Sequence, residues 1–239
     1  MLRYLVNFIF PPRCAGCAIR LPIDAANRVC ARCIAEIERL KEPLCEVCGI
    51  PMVAGGAWCE RCAAAPPHFS RARAITIYGD GGDDAGGVVG SIIRRHKYGL
   101  DQSLSRALAE CLGARLPLDD RDYDVVIPVP LHRGRLRWRG FNQAAMLGAV
   151  VARRIARPLD AATLTRVRAT PPQTARNRRE RRENMRGAFT VRRPARIANH
   201  SVLLVDDVMT TGATADECAR MLIRAGARRV DVLTLARVL

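Results

Sequence analysis

Four Cys-x-x-Cys pairs, Cys14/Cys17, Cys30/Cys33, Cys45/Cys48 and Cys59/Cys62, crowd eight of the ten cysteines into the first quarter of the chain. Two thiolates separated by two residues project from one tight turn at a single tetrahedral ion, and two such turns complete a four-cysteine site. The spacing therefore predicts two structural zinc ions. Sequential pairing groups Cys14, Cys17, Cys30 and Cys33 apart from Cys45, Cys48, Cys59 and Cys62; a cross-braced arrangement exchanges partners, and spacing leaves both open. A thioredoxin-like redox role needs one such pair opening a helix after a strand, whereas these recur among Gly, Pro and Ala turns.

Disulfides fit less well, because a reducing compartment is expected. The apolar opening run, Met1 to Phe10, stops at Pro11-Pro12. It is shorter than the roughly 20 apolar residues of a membrane span, and it leads into Arg13-Cys14 rather than into a small-residue cleavage site. A cytoplasmic protein without a membrane span is the expectation. Cys111 and Cys218 fall on apolar helical stripes, with Leu104, Leu108 and Leu112 and with Ala215, Ala219 and Leu222, and read as core residues.

A chain of 239 residues has room for one α/β domain and a small appended module. Pro66-Pro67 closes the cysteine-rich part, so the expected units are residues 1–67 and 68–239. The formal net charge of +16 is carried by arginine, Lys41 and Lys97 being the only lysines. Such a charge points to nucleic acid, acidic lipid or highly phosphorylated small molecules as partners, without choosing among them.

After the boundary, strands and helices alternate. Strands are predicted at Ala72 to Tyr78, Val125 to Pro130, Ser201 to Val205 and Arg229 to Leu235, and helices at Val88 to Tyr98, Gln102 to Leu116, Phe141 to Ala156 and Thr214 to Ala225. This order implies an α/β fold with a mainly parallel sheet flanked by helices, whose ligands sit at the C-terminal edge of the strands. A basic loop is expected from Leu131 to Gly140, and a long solvated connection from Arg166 to Arg196, where eleven arginines stand against Glu180 and Glu183.

One stretch concentrates chemistry: Ser201-Val202-Leu203-Leu204-Val205-Asp206-Asp207-Val208-Met209-Thr210-Thr211-Gly212-Ala213-Thr214. The loop Thr210 to Thr214 can surround a phosphate with backbone N–H groups at a helix start, its threonines adding hydroxyl donors and Gly212 allowing close approach. Asp206 and Asp207 are acceptors suited to a vicinal diol such as that of ribose, and their charge favours a cationic sugar. Each feature alone is ordinary, an Asp-Asp turn and a Thr-capped helix. Together they indicate a phosphorylated sugar.

This stretch resembles the phosphoribosyl pyrophosphate (PRPP) signature of type I phosphoribosyltransferases, and the whole chain resembles the ComF (ComFC-type) competence proteins. Besides the signature and the four knuckles, the likeness rests on Val129-Pro130-Leu131-His132, Arg139-Gly140-Phe141-Asn142-Gln143, Thr170-Pro171-Pro172-Gln173 and Asn184-Met185-Arg186-Gly187-Ala188-Phe189. The resemblance implies a type I phosphoribosyltransferase-like domain behind a double zinc-ribbon module. PRPP with Mg²⁺ would be held by Asp206, Asp207, Met209, Thr210, Thr211, Gly212, Ala213 and Thr214, with the two acids as the catalytic pair.

By the same resemblance Arg133, Arg135 and Arg139 would meet the pyrophosphate, although the usual Pro-Arg after Leu-His is here Arg133-Gly134. The segment Thr170 to Arg182 would close over the site. The implied role is handling of incoming single-stranded DNA during natural transformation, with a competence helicase or other DNA-processing proteins as partners. A metabolic phosphoribosyl transfer to a nucleobase or amine, or an adaptor with a degenerate pocket, are the alternatives. Trp58, Phe69, Trp138 and Phe141 are the aromatic residues available to stack on bases.

Overall fold

The computed structural model describes residues 11–25, 28–37, 40–53, 56–78, 87–90, 92–93, 107–108, 111, 122–170 and 178–238. The opening apolar run, most of the Gly79 to Gly90 stretch and most of the two helices expected between Val88 and Leu116 lie outside them.

Two short helices, α1 (Ala31–Ala35) and α2 (Glu60–Ala64), each begin directly after a cysteine, Cys30 and Cys59. They are followed by β1 (Arg71–Ile77), β2 (Val125–Pro128), α3 (Arg133–Arg139), α4 (Gln143–Arg154), β3 (Leu164–Arg166), α5 (Arg178–Met185), β4 (Phe189–Val191), β5 (Ser201–Met209), α6 (Ala213–Arg224) and β6 (Arg229–Arg237). β1, β6, β5 and β2 pair in that order, all parallel. β3 and β4 form a separate antiparallel pair.

A parallel sheet is covered on both faces, so its strands are apolar on both. Along β5 and β6, Val202, Leu204, Val230 and Val232 enter one core, while Leu203, Val205, Leu233 and Leu235 enter the other. The α6 stripe of Ala215, Cys218, Ala219 and Leu222 seals the first core. Leu147 and Val151 of α4 seal the second, together with Cys111 and Leu108. Both isolated cysteines are core residues, as their helical spacing implies.

The cysteine-rich part is built into the same two cores. Cys45, Val47, Cys48 and Cys62 pack on the first face, and Cys14, Ala15 and Cys33 on the second. The two knuckle pairs thus straddle the outer edge of the sheet at β1. The Ala72 N–H of that edge strand donates to the Val47 carbonyl at 2.6 Å, and the Leu40 N–H donates to the Ile75 carbonyl at 3.4 Å. An edge strand left bare presents unpaired backbone groups to any passing strand, and here the ribbons cover it.

Three expectations are corrected. The basic loop after Pro130 is largely a helix, α3: His132 accepts the Gly134 N–H at its start, and Gly140, left-handed at φ 80°, ends it. β5 does not stop at Val205 but runs to Met209 because pairing with β6 continues through Met209↔Arg237. The Arg166 to Arg196 segment is not one solvated connection, since buried Met185, Phe189 and Ile197 anchor α5, β4 and the turn after them to the first core. Among the described residues no helix is long and apolar enough to cross a membrane.

Candidate functional site

The cysteines gather sequentially. In each set, Cys14, Cys17, Cys30 and Cys33 or Cys45, Cys48, Cys59 and Cys62, the sulfur atoms lie within 4.8 Å of one another. The two clusters repeat the same geometry. Cys14 Sγ accepts the Cys30 N–H at 3.3 Å, as Cys45 Sγ accepts that of Cys59, and Sγ–Sγ separations of 3.7 Å join Cys17 to Cys30 and Cys48 to Cys59.

Burial raises the thiol pKa, but amide donors from the turns outweigh it at the first cysteine of each set, bringing Cys14 down to about 7 and Cys45 to about 6. Burial and the neighbouring cysteines push Cys33 and Cys62 up. Four thiolates this close ionise together only around a cation, which is the donor set of a closed structural zinc site.

The second constellation lies at the C-terminal end of β5. Asp206 and Asp207 are adjacent in an extended strand, so their side chains leave opposite faces. Each carboxylate accepts the next residue's amide: Asp206 Oδ1 that of Asp207 at 2.9 Å, and Asp207 Oδ1 that of Val208 at 2.7 Å. Both are half-buried. The chain then turns through Thr210 and Thr211 into Gly212, which caps α6 with φ 82°. A β-carbon there would lie 2.9 Å from Met209 Cε, which would have to swing aside, and the left-handed backbone angle is the one that favours glycine.

No side chain of the cap residue occupies the helix start; Thr211 Oγ1 accepts the Ala213 N–H at 3.4 Å. A cleft open to solvent is lined by Asp206, the Val208 to Ala215 turn and Thr234. Of the eight residues expected around a phosphorylated sugar, seven line it; Asp207 stands on the other face, toward α3. The Thr214 hydroxyl donates to Met185 Sδ at 3.5 Å, tying the loop to the end of α5.

Residues 143–239 match the Phosphoribosyl transferase domain family, and residues 5–63 the Double zinc ribbon domain family. The DNA utilization protein YhgH of Salmonella typhi is 34% identical over 233 residues, covering 92% of this chain and 95% of that one. Competence protein F of Haemophilus influenzae is 29% identical over 239 residues, covering 98% of this chain and all of that one. The chain belongs to the ComF family. Among solved structures, the adenine phosphoribosyltransferase of Leishmania tarentolae aligns at 17% identity and TM-score 0.35 over 62% of this chain and 74% of that one, a likeness too distant to carry weight.

In this ComF chain the arginines expected near a pyrophosphate separate. Arg139, held down by burial, is held up by the charge of Asp207 and pushed down by Arg135. Arg133 is exposed at the start of α3. Sequence reasoning did not single out Arg166. Its guanidinium lies 5.5 Å from the centre of the Phe189 ring and bonds the Thr170 hydroxyl. Burial and Arg135 depress its pKa, and Cys218 and Asp206 oppose them. Its buried Nε has no hydrogen-bond partner among the described residues. One acid thus feels Arg139 and the other Arg166, with Arg135 acting on both arginines.

Nothing in the sequence distinguishes Arg166 from the ten other arginines of its segment; the β3–β4 pair and its bridge to His132 bring it in. Residues 171–177 of the expected closing segment lie outside the described residues, and the chain just beyond its far end is anchored. Arg168 donates to the Asn184 and Arg186 carbonyls at the end of α5, and Glu217 accepts the Gly187 N–H at 2.7 Å. Of the aromatic candidates, Phe69 is buried in the first core and Phe141 half-buried, whereas Trp58 and Trp138 are 50% and 68% exposed.

Proposed function

We propose that the cleft at the end of β5 binds PRPP with Mg²⁺, and that the protein uses this site in handling incoming single-stranded DNA in the cytoplasm during natural transformation. The observation that carries the reading is one arrangement: a hydroxyl-lined turn, opened by left-handed Gly212 onto a helix start, beside two acids that each feel a different arginine. The 5-phosphate fits the Thr210 to Thr214 turn, where backbone N–H groups and the helix dipole favour an anion. The ribose diol fits Asp206 at the rim of the cleft, with Asp207 on the opposite face adding its charge beside Arg139.

The pyrophosphate fits Arg135, Arg139 and Arg166, whose guanidinium groups are donors at every N–H and make charge-assisted bonds to phosphate oxygens. Arg133 completes the basic face of α3. The DNA role is supported by relatives named for competence and DNA utilization, by the charge of +16, and by exposed Trp138 among the arginines of α3. Phosphate contacts with base stacking on such a surface favour single strands without strong sequence preference.

Calorimetric titration of the zinc-loaded protein with PRPP and Mg²⁺ tests the site. Wild type should bind, and the Asp206→Asn/Asp207→Asn variant should lose most of the affinity while keeping its fold. A well-folded wild type that does not bind PRPP removes the reading and leaves an adaptor role in its place. Pyrophosphate release that depends on an added nucleobase or amine moves the function to metabolic transfer.

A further inference from the structure

We infer that the second zinc centre, Cys45, Cys48, Cys59 and Cys62, is a structural arm of the phosphate loop, with Arg237 as the positioning residue that couples zinc occupancy there to phosphate binding. The inference rests on the PRPP reading above and names a regulation of that same site.

Arg237 ends β6 and is only 1% exposed. A buried guanidinium is strongly disfavoured unless other charges offset it. Its Nη1 bonds the Cys48 carbonyl within the knuckle, and the sulfurs of Cys48, Cys59 and Cys62 all act on it electrostatically. Four thiolates on one zinc ion leave a net charge of about −2. Arg61, whose Nη2 lies 3.7 Å from Cys48 Sγ, is the second arginine on this centre. Two cations facing a doubly negative cluster form a balanced set, and the balance exists only when the metal assembles the thiolates.

The same Arg237 reaches the loop. It is the register partner of Met209 across β5 and β6, its Nη1 lies 3.7 Å from Met209 Sδ, and the next residue's amide donates to the Met209 carbonyl at 3.0 Å. Met209 Cε in turn lies against Gly212, the residue that caps α6 and opens the phosphate turn. A groove open to solvent is lined by Cys48, Arg61 and Arg237 together with Met209, Thr211 and Gly212. The route is continuous: Cys48, Arg237, Met209, Gly212. The first zinc centre packs on the opposite face of the sheet with Ile75, Val89 and Ile92.

Coupling between two binding events is reciprocal. Zinc at the second centre that holds Met209 and Gly212 in place tightens PRPP binding, and PRPP must then retain that zinc by the same factor. The experiment follows zinc release from the full, zinc-loaded chain into excess chromogenic chelator, with and without saturating PRPP and Mg²⁺. Two release phases are expected, one of them slowed about tenfold by PRPP, within the span of ordinary coupling free energies, the other changed by less than about twofold. Equal slowing of both phases, or of neither when calorimetry on the same sample shows PRPP bound, overturns the coupling and leaves the PRPP site standing. Absence of PRPP binding removes both.

Arg237→Met and Arg237→Lys supply the second arm. The methionine variant should speed the PRPP-sensitive phase about tenfold without ligand and abolish the PRPP effect, and the lysine variant should restore part of both. A methionine variant that releases both ions faster to the same degree marks Arg237 as a general core residue and defeats the inference.

Discussion

Replacing Gly49 with alanine tests how the second ribbon is seated on the sheet. Gly49 lies between Cys48 and Ile50 with φ 69°, and an added β-carbon would stand 2.5 Å from the Ala72 carbonyl oxygen. Both obstacles are backbone, so no side chain can swing aside. A left-handed alanine costs about 1–2 kcal/mol. Backing the knuckle away from β1 strains the 2.6 Å bond from the Ala72 N–H to the Val47 carbonyl, whose loss costs about 0.5–1.5 kcal/mol. The sum is about 2.5 kcal/mol, and at roughly 2–4 °C per kcal/mol for a chain of this size Tm should fall by about 5–10 °C. Gly187→Ala is the control: its φ is 72°, yet among the described residues nothing lies within 4 Å of the added carbon, so it carries only the backbone strain. Thermal unfolding of both variants by circular dichroism, at equal zinc content, should separate them clearly. Equal shifts in Tm would refute the docking of the knuckle on Ala72.

Other outcomes follow from the same contacts. Arg166→Met should weaken PRPP binding about 10- to 100-fold, the worth of one charged hydrogen bond; unchanged calorimetric affinity would remove Arg166 from the site. Burial raises Glu217, but Arg220 at 2.8 and 2.7 Å and the Gly187 amide outweigh it and hold its pKa below the ordinary 4.5. A depressed folded-state pKa stabilises above the unfolded value and ceases to do so as pH falls through the folded one. The gap in denaturation midpoint between wild type and Glu217→Gln should therefore be widest near neutral pH and close below about pH 4.5; a gap that widens on acidification contradicts the assignment. Removing Arg133, Arg135 and Arg137 together should reduce the salt dependence of single-stranded DNA binding by about two in log–log slope, measured by fluorescence anisotropy, whereas an unchanged slope places the DNA elsewhere.

Much of the site was legible because it is contiguous. An apolar run, two acids, a hydroxyl-rich turn with one glycine and a helix occupy a single unbroken stretch from Ser201, so short-range stereochemistry builds the turn proposed to hold the phosphate, and the structure only extends its strand to Met209. The two four-cysteine sets were legible for the same reason, each knuckle being a local turn. Helix α3 was not, because its start and stop depend on His132 Nδ1 folding back on the Gly134 amide and on Gly140 turning left-handed, and neither residue announces that use within a run of arginines.

The four cysteine knuckles, the alternation that makes a parallel sheet and the acid–threonine turn were thus determined by the sequence alone, since each depends on neighbours a few residues away. Tertiary structure decided which cysteines gather into one cluster, that the two ribbons clasp opposite faces of one sheet, that Arg166 rather than another of the segment's arginines stands by Asp206, and that Arg237 is buried against the second four-cysteine cluster. Charge and spacing do not mark these partners. Only the packing of distant segments into two common cores brings them within reach, and it is there that a buried guanidinium finds the charge it needs.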